Sequence, residues 1–360
     1  MKVEWKKLET LMDFEQPTPY LVKSTEYDDS YNTPVLTAGQ SLLLGYTNEK
    51  TGIYKASKQK PTIIFDDFTT SFHWIDFDFK VKSSAMKMLR AKTGVNFRYV
   101  YYAMLSINFV PSGHQRHWIS KYSQFQIPLP TLAEQARIVG ILDTFSASIE
   151  NLKEQIAQRR KQYEHYRDKL LDLEGKEGVE RITLKYVCEV INGRAYNQSE
   201  LLSEGKYRVL RVGNFFSNSS WYYSDLELEN KYYCEKGDLL YAWSASFGPH
   251  IWEEEKVIYH YHIWKMNCGE SLNKKFLYYW LQSEDMRKQA FSNLHGATMA
   301  HLTKALMESL AIPLPSLQEQ SRIVSILDTF EASIANLEAQ LKERQKQYEY
   351  YRNKLLTFEE

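Results

Sequence analysis

Residues 127–174 read IPLPTLAEQARIVGILDTFSASIENLKEQIAQRRKQYEHYRDKLLDLE, and residues 312–359 read IPLPSLQEQSRIVSILDTFEASIANLEAQLKERQKQYEYYRNKLLTFE. The two stretches align without a gap at an offset of 185 residues, and roughly two-thirds of the paired positions are identical. A repeat of this length divides the 360-residue chain into two halves, each a variable block that ends in the same helix.

Three signals predict the helix. Pro128 and Pro130 hold the approach extended. Thr131-x-x-Glu134 and Ser316-x-x-Glu319 then have the form of capping boxes, in which the hydroxyl accepts from the third amide and the carboxylate reaches back to the cap amide. Last, apolar residues recur in steps of four and three. In the first copy they are Ile138, Leu142, Phe145, Ile149, Leu152 and Ile156, then Arg159, then Tyr163, Tyr166 and Leu170. In the second they are Ile323, Leu327, Phe330, Ile334, Leu337 and Leu341, then Arg344, Tyr348, Tyr351 and Leu355. A period near 3.5 sustained over several heptads argues for a coiled-coil seam, so each helix needs a partner. Arg159 and Arg344 interrupt the seams at equivalent positions, where a polar residue sets register or snorkels outward along its stem. At about 1.5 Å per residue, the residues from Glu134 to Leu171 form a rod on the order of 55 Å long.

The expected fold class is α+β: two mixed α/β domains separated by two long coiled-coil helices, taken to pair antiparallel, with a pseudo-two-fold internal repeat. The expected divisions are 1–126, 127–174, 175–311 and 312–360.

Lys plus Arg and Asp plus Glu both number 45, so net charge gives no global sign of nucleic acid. Locally, residues 1–130 carry 16 basic against 12 acidic residues, while residues 181–315 carry 15 of each. Attraction to phosphate must then come from particular faces of the blocks. The three cysteines, Cys188, Cys234 and Cys268, form no close pair in sequence, which fits a reducing cytoplasm and argues against a sulfur-ligated zinc module. No apolar run approaches the roughly 18 residues of a membrane span, and no signal peptide is evident, so a cytoplasmic protein with no membrane partner is expected. The 26 Tyr, 17 Phe and 8 Trp are too many to be base-stacking platforms alone, and most belong to cores and sheet faces.

Along the first block, residues 33–38, 42–47 and 61–65 read as strands, and residues 73–81 as one half-buried strand. A short helix is expected over 84–89 and a buried one over 97–107, followed by the loop PSGHQRH at 111–117. The charged, glycine-bearing stretch 174–180 reads as a linker. In the second block residues 208–215, 238–246 and 257–266 read as strands, and residues 274–291 as a helix. A skeleton is shared between the blocks: Val3-Glu4 matches Val179-Glu180, Val35-Leu36 matches Val209-Leu210, and the helix at 97–104 answers residues 276–281.

The sequence holds no Gly-Lys-Ser/Thr phosphate loop, no G-x-G-x-x-G and no H-E-x-x-H. Asp66 or Asp67 with Asp78 and Lys80 has the outline of a Mg²⁺-dependent nuclease, but the pattern is degenerate. The plainer reading takes Asp76, Asp78 and Lys80 as solvent positions of an alternating strand. His260 and His262 would share one strand face, yet with His250 they offer no convincing third ligand, so packing is the reading taken and no metal is assigned.

The paired I-P-L-P-x-L-x-E-Q-x-x-I-V-x-I-L-D motifs at Ile127 and Ile312, with KGDLLYAWSASFG and FDDFTT, resemble the specificity subunit of type I restriction-modification systems over the whole chain. The resemblance implies two target-recognition domains and no catalysis by this subunit. It implies two modification subunits that methylate adenine with S-adenosylmethionine, and restriction subunits that translocate and cleave with ATP and Mg²⁺, none of these cofactors being bound by this chain. Antiparallel rods would hold the two domains on the order of 15 base pairs apart on duplex DNA, making the target bipartite with an unread spacer. Because the blocks differ, the half-sites should differ as well.

Base edges and phosphates are read by Arg, Lys, Asn, Gln, Ser and Thr. The candidates in the first block are Lys55, Lys58 and Lys60, Thr69, Thr70 and Ser71, and His114, Gln115 and Arg116. In the second they are Arg194, Tyr196, Asn197 and Gln198, Arg211 and Asn214, Ser244 and Ser246, and Thr298. The rival classes are a stand-alone Mg²⁺ nuclease and a coiled-coil scaffold without a nucleic-acid role.

Overall fold

In a computed structural model of the chain, residues 3–39, 41–111, 113, 115–216, 219–244, 246–291 and 302–358 are described, with Phe216, Ser246 and Phe291 described by their backbone alone. They form two compact units, one of Met1–Lys153 with Gln340–Glu360 and one of Glu154–Ala339.

The first unit contains β1 (Glu4–Lys7), α1 (Leu8–Leu11), β2 (Met12–Glu15), β3 (Thr33–Leu36), β4 (Leu43–Thr47), β5 (Thr62–Asp66), β6 (Phe72–Ile75), β7 (Lys80–Val81), β8 (Met86–Ala91), α2 (Phe97–Met104) and β9 (Gln126–Leu129). It also holds the beginning of α3 (Leu132–Leu171). Its sheets run β2-β8-β5-β6 and β4-β3-β7, the pair β3 and β7 being parallel. Ile63 and Phe65 join the core under α2 while Ile64 joins that of the smaller sheet, so the apolar run 63–65 is explained by burial on both faces.

The second unit repeats the plan with β10 (Glu180–Thr183), β11 (Cys188–Asn192), β12 (Tyr207–Leu210), α4 (Val212–Phe216), β13 (Tyr222–Ser224), β14 (Tyr233–Cys234), β15 (Leu239–Ser244), β16 (Ser246–Ile251), β17 (Val257–Tyr259), β18 (Ile263–Cys268), α5 (Lys274–Trp280), α6 (Glu284–Phe291), α7 (Lys304–Ser309) and β19 (Ala311–Leu314). The start of α8 (Leu317–Leu356) completes it. Its sheets are β11-β18-β15-β16 and β13-β12-β17-β14, with β12 and β17 parallel. Glu4 opposite Leu129 is answered by Glu180 opposite Leu314, as the shared skeleton predicts.

Each unit carries its block, the start of one long helix and the end of the other. In the second unit Arg160 meets Glu338 at 2.5 Å, Tyr163 meets Glu331 at 3.4 Å, and the rings of Tyr166 and Phe330 stack at 5.5 Å. One index rises as the other falls, so the helices are antiparallel. In the first unit Phe145 stacks on Tyr351 at 5.3 Å, the same pair displaced by the repeat. Arg344 lies over Phe145 at 5.7 Å and Arg159 over Phe330 at 5.9 Å, so both seam arginines cover an aromatic face. Ile138, Leu142, Ile323 and Leu327 are fully buried in the block cores, Leu152 and Ile156 are nearly so, and Ile149, Ile334, Leu337 and Leu341 are half-buried. Among the described residues, no helix is long and apolar enough to cross a membrane.

What fixes each block to its helix is a buried glutamine. Gln135 Oε1 accepts from the Asn96 amide at 2.9 Å while its Nε2 donates to Pro130 O at 2.8 Å. Gln320 repeats this with the Asn273 amide at 2.7 Å and Pro315 O at 2.8 Å, and adds Ser271 O at 3.0 Å. Asn96 and Asn273 are in turn the N-caps of α2 and α5. About two turns on, Tyr102 donates to Asp143 at 2.5 Å and Tyr279 to Asp328 at 2.6 Å. Arg98 and Lys275 reach the same two carboxylates at 2.8 Å.

Several sequence expectations are corrected. Thr131 and Ser316 do cap the third amide, at 3.3 Å each, but Glu134 and Glu319 bind Arg137 and Arg322 instead of reaching back. Residues 73–81 are two strands, and Lys80 is buried against Glu49 at 3.2 Å rather than solvated. Residues 84–89 lie largely in strand β8, where burial between β2 and β5 overrides helix propensity. Residues 257–266 are two strands of different sheets, and the stretch 208–215 turns from β12 into α4. The helix expected at 274–291 is two, because Ser283 ends one by donating to Trp280 O and starts the next by accepting from the Met286 amide at 3.2 Å.

Gln320→Ala strands the Asn273 amide and two carbonyls in a buried joint. It should destabilise the protein by about 1–3 kcal/mol, read as a lower denaturant midpoint with unchanged slope.

Candidate nucleic-acid interface

In the first unit the turn between β5 and β6 carries Thr69, Thr70 and Ser71. Asp66 caps it, its carboxylate accepting from the Phe68 and Thr69 amides at 2.8 Å each. Thr69 is exposed and shares a 2.7 Å hydrogen bond with the Ser71 hydroxyl, which also donates to Ala38 O. Thr70, expected in an exposed loop, is 8% exposed and adopts φ 59°, a left-handed conformation that the turn imposes. Its hydroxyl is therefore a poor reader of DNA.

Asp67 has a structural task that no local pattern announces. It is 1% exposed and pairs with Lys87 at 3.0 Å, Lys87 itself being 1% exposed. Its Oδ1 accepts from the Trp118 amide and its carbonyl from the His117 amide, both at 2.8 Å. The pair thus brings two candidate segments together, the Thr69 turn and the exposed Gln115-Arg116 stretch. His114 lies outside the described residues.

Lys55, Lys58 and Lys60 are exposed on a separate loop, in which Ser57 and Lys60 exchange backbone hydrogen bonds at 3.1 and 2.9 Å and Lys55 pairs with Asp78 at 2.5 Å. The nuclease outline dissolves here: Asp66 caps a turn, Asp67 holds Lys87, Asp78 holds Lys55 and Lys80 holds Glu49. Among the described residues, no three His, Cys, Asp or Glu side chains gather as metal ligands would.

The second unit gathers its candidates around an aromatic cluster. Gly193 lets the chain pass against the backbone of residues 259–260; a Cβ there would sit 2.4 Å from His260 O. Arg194 follows, its guanidinium bound in two places to Glu200 at 2.9 and 2.7 Å and lying over Tyr196 at 5.1 Å. That pairing with Arg194 holds the Glu200 carboxyl at about 2. Asn197 caps the short turn at Gln198–Glu200, leaving Gln198 exposed. Tyr196 stacks on His260 at 6.3 Å.

His260 and His262 do not share a strand face as expected; they belong to the turn between β17 and β18, their rings 4.8 Å apart. Trp243 lies 5.0 Å from His262 and donates to Tyr261 O at 2.9 Å, placing Ser244, at the end of β15, beside this cluster. Arg211 is exposed and rests over Tyr222 at 5.3 Å, while Asn214 accepts from the Arg211 amide at 3.1 Å and donates to Ser220 O. The side chain of Ser246, and Thr298 altogether, lie outside the described residues. Exposed Tyr222, Phe247 and Tyr261 extend the surface, and the sequence marks them only by the chain's high aromatic content. Burial, then His262 and Arg211, push His260 down to about 4, so at neutral pH it is an uncharged donor and acceptor.

Asp67→Ala leaves Lys87 buried without a counter-charge and should cost about 3–5 kcal/mol, whereas Asp67→Asn with Lys87→Met should recover most of it in chemical denaturation. His260 has a folded value below its ordinary 6.5, so the unfolded chain takes up a proton that the native state refuses. Its contribution to stability is complete above about 6.5 and lost as pH falls toward 4, and His260→Asn should flatten the unfolding midpoint within that window. The Glu200 contribution falls away lower, between its ordinary 4.5 and about 2.

The sequence matches the family described as "Type I restriction modification DNA specificity domain" over residues 2–159 and again over 176–346. It is 37% identical over 389 aligned positions to the EcoR124I/EcoR124II specificity subunit of Escherichia coli, covering 99% of this chain and 95% of that one. It is 26% identical to the MjaVIII specificity subunit of Methanocaldococcus jannaschii, over 66% of this chain and 61% of that one. In fold it is similar to the S subunit of a type I restriction-modification system from M. genitalium, with a TM-score of 0.63 at 16% identity, covering 100% of this chain and 97% of that one. A second solved structure, described for complex assembly and conformational transition of the type I system, gives a TM-score of 0.57 at 17% identity over 99% and 98% of the two chains. With two copies of the DNA specificity domain on antiparallel helices, the chain belongs to the type I restriction-modification specificity subunits, the DNA-recognition and non-catalytic members of those enzymes.

Proposed function

We propose that this specificity subunit recognises an asymmetric two-part target on double-stranded DNA, each block reading one part, with an unread stretch between them. What carries the reading is a duplication of scaffold without duplication of surface. The strand order β2-β8-β5-β6 recurs as β11-β18-β15-β16, and the glutamine clamps recur with it. Above that shared frame one block offers hydroxyls, lysines and Gln115-Arg116, and the other an aromatic cluster with Arg211, Gln198 and Ser244. Different chemistry on equal frames suits unequal half-sites.

In this reading Thr69, Gln115 and Arg116 face one half-site, and Gln198, Arg211, Ser244 and the aromatic edges the other, while Lys58 and Lys60 contact phosphate. Arg194 serves mainly to orient Tyr196 and its turn through Glu200. The chain acts with two modification subunits, which methylate adenine using S-adenosylmethionine, and with restriction subunits, which use ATP and Mg²⁺; this chain binds none of these cofactors. A DNA partner sets the assembly in the cytoplasm.

Co-expressing the chain with its modification subunit and mapping methylated adenines across a genome tests this. The expected motif has two unlike halves, and replacing residues 1–126 by another block should change one half alone. A continuous motif, or a change in both halves, would overturn the proposal. Lys58→Ala should leave the motif intact while lowering the salt dependence of binding by about one counterion.

A further inference from the structure

Cys188 and Cys268 stand 80 positions apart in sequence and directly opposite each other in the sheet: Cys188 opens β11, Cys268 closes β18, and the two are register partners. The Gly269 amide donates to Val187 O at 2.8 Å, and the Gly193 amide to Ile263 O at 3.1 Å. These bonds fix the parity of the ladder and make Cys188 and Cys268 a non-hydrogen-bonded pair, the type whose Cα atoms lie about 4.5 Å apart with side chains on one face. That spacing falls at the short end of the disulfide range of about 4.4–6.8 Å.

The two thiols are neighbours across the ladder and unequal in setting, Cys188 Sγ donating to Glu189 O at 3.7 Å. Cys188 is 3% exposed within the main core of its unit, whereas Cys268 is partly open to solvent. The neighbouring Cys188 and the charge of Lys274 pull the Cys268 thiol down, while Cys268 and burial push Cys188 up. Cys234 sits in the other sheet opposite Val257, buried and unpaired with either, which makes it an internal control.

We propose that Cys188 and Cys268 are a reversible dithiol site, oxidised by a low-molecular-weight disulfide to a cross-strand disulfide. The Cys268 thiolate attacks one sulfur of R–S–S–R, forming the mixed disulfide and releasing RS⁻. The Cys188 sulfur then attacks the Cys268 sulfur, the protein disulfide forms, a second RS⁻ leaves, and the two thiol protons end on the released thiolates. Two protein thiols are oxidised as one small disulfide becomes two thiols. Thiol–disulfide exchange runs in both directions, so excess small thiol returns the pair to its reduced form and the site can cycle. It also ties the two strands at the end of the sheet remote from Ser244, where stability rather than base reading should respond.

The test is to incubate the full chain with oxidised glutathione, quench with alkylating reagent in denaturant, and map the peptides. The expected result is a fall from three titratable thiols to one, the remaining one being Cys234, with residues 188 and 268 in one linked peptide pair that dithiothreitol reopens. The linked protein should unfold at a higher temperature than the reduced one. Cys188→Ser should stop at a single glutathione adduct on Cys268, and Cys268→Ser should leave Cys188 unmodified. Three thiols remaining, a glutathione adduct that persists on Cys268 of the unaltered chain, or a link to Cys234 would overturn the proposal. The map of the unaltered chain decides the matter even if either variant fails to fold.

Discussion

The whole arrangement depends on how a globular block is seated on a helix. A buried glutamine one turn into each long helix accepts from the N-cap amide of the preceding block helix and donates to the carbonyl just before its own cap. A tyrosine and a cation then close on one aspartate about two turns further along. None of these bonds is exotic, but all are directional, and the glutamines sit where water cannot substitute. Each fixes the block's angle on its helix, and so the direction in which its turns present their side chains.

Above that joint the units diverge for an intelligible reason. In the first, an ion pair beneath the surface holds two loops against each other, and the loops themselves carry hydroxyl, amide and guanidinium groups. In the second, stacked rings do the holding. Tyr196, His260, His262 and Trp243 share faces and edges, and the polar candidates are set around their rim. Stacking leaves Arg211 poised on Tyr222 rather than sequestered by a carboxylate, as Arg194 is.

The parts of this fold that local pattern encodes were legible in the sequence. The repeat, both long helices, their hydroxyl caps and the existence of a seam follow from periodicity and from Thr131 and Ser316, whereas the antiparallel sense of the seam does not. The twin positions Val35-Leu36 and Val209-Leu210 do occupy matching parallel strands. What escaped were features decided by tertiary partners. Residues 86–91 carry good helix formers yet join a sheet, and Lys87 is buried because Asp67 awaits it. The run VIYHYHIW looks like one strand, since Tyr and His are β-tolerant and no Gly or Pro marks the bend at 260–262. The glutamine of E-Q was visible in both copies, but nothing in one dimension says that it meets Asn96 or Asn273. Nor could spacing reveal that two distant cysteines are sheet neighbours. Several candidate side chains proved to be committed to the protein itself, since Arg, Asn and Thr serve turns and pairs as readily as they serve DNA.

The buried Asp67 and Lys87 have an evolutionary corollary. Because they carry the tip of the first block from below, Thr69, Gln115 and Arg116 answer to solvent and ligand rather than to the folding of the domain. Substitutions at such tips should cost the folded domain little, so what the block displays can change while the architecture that displays it stays.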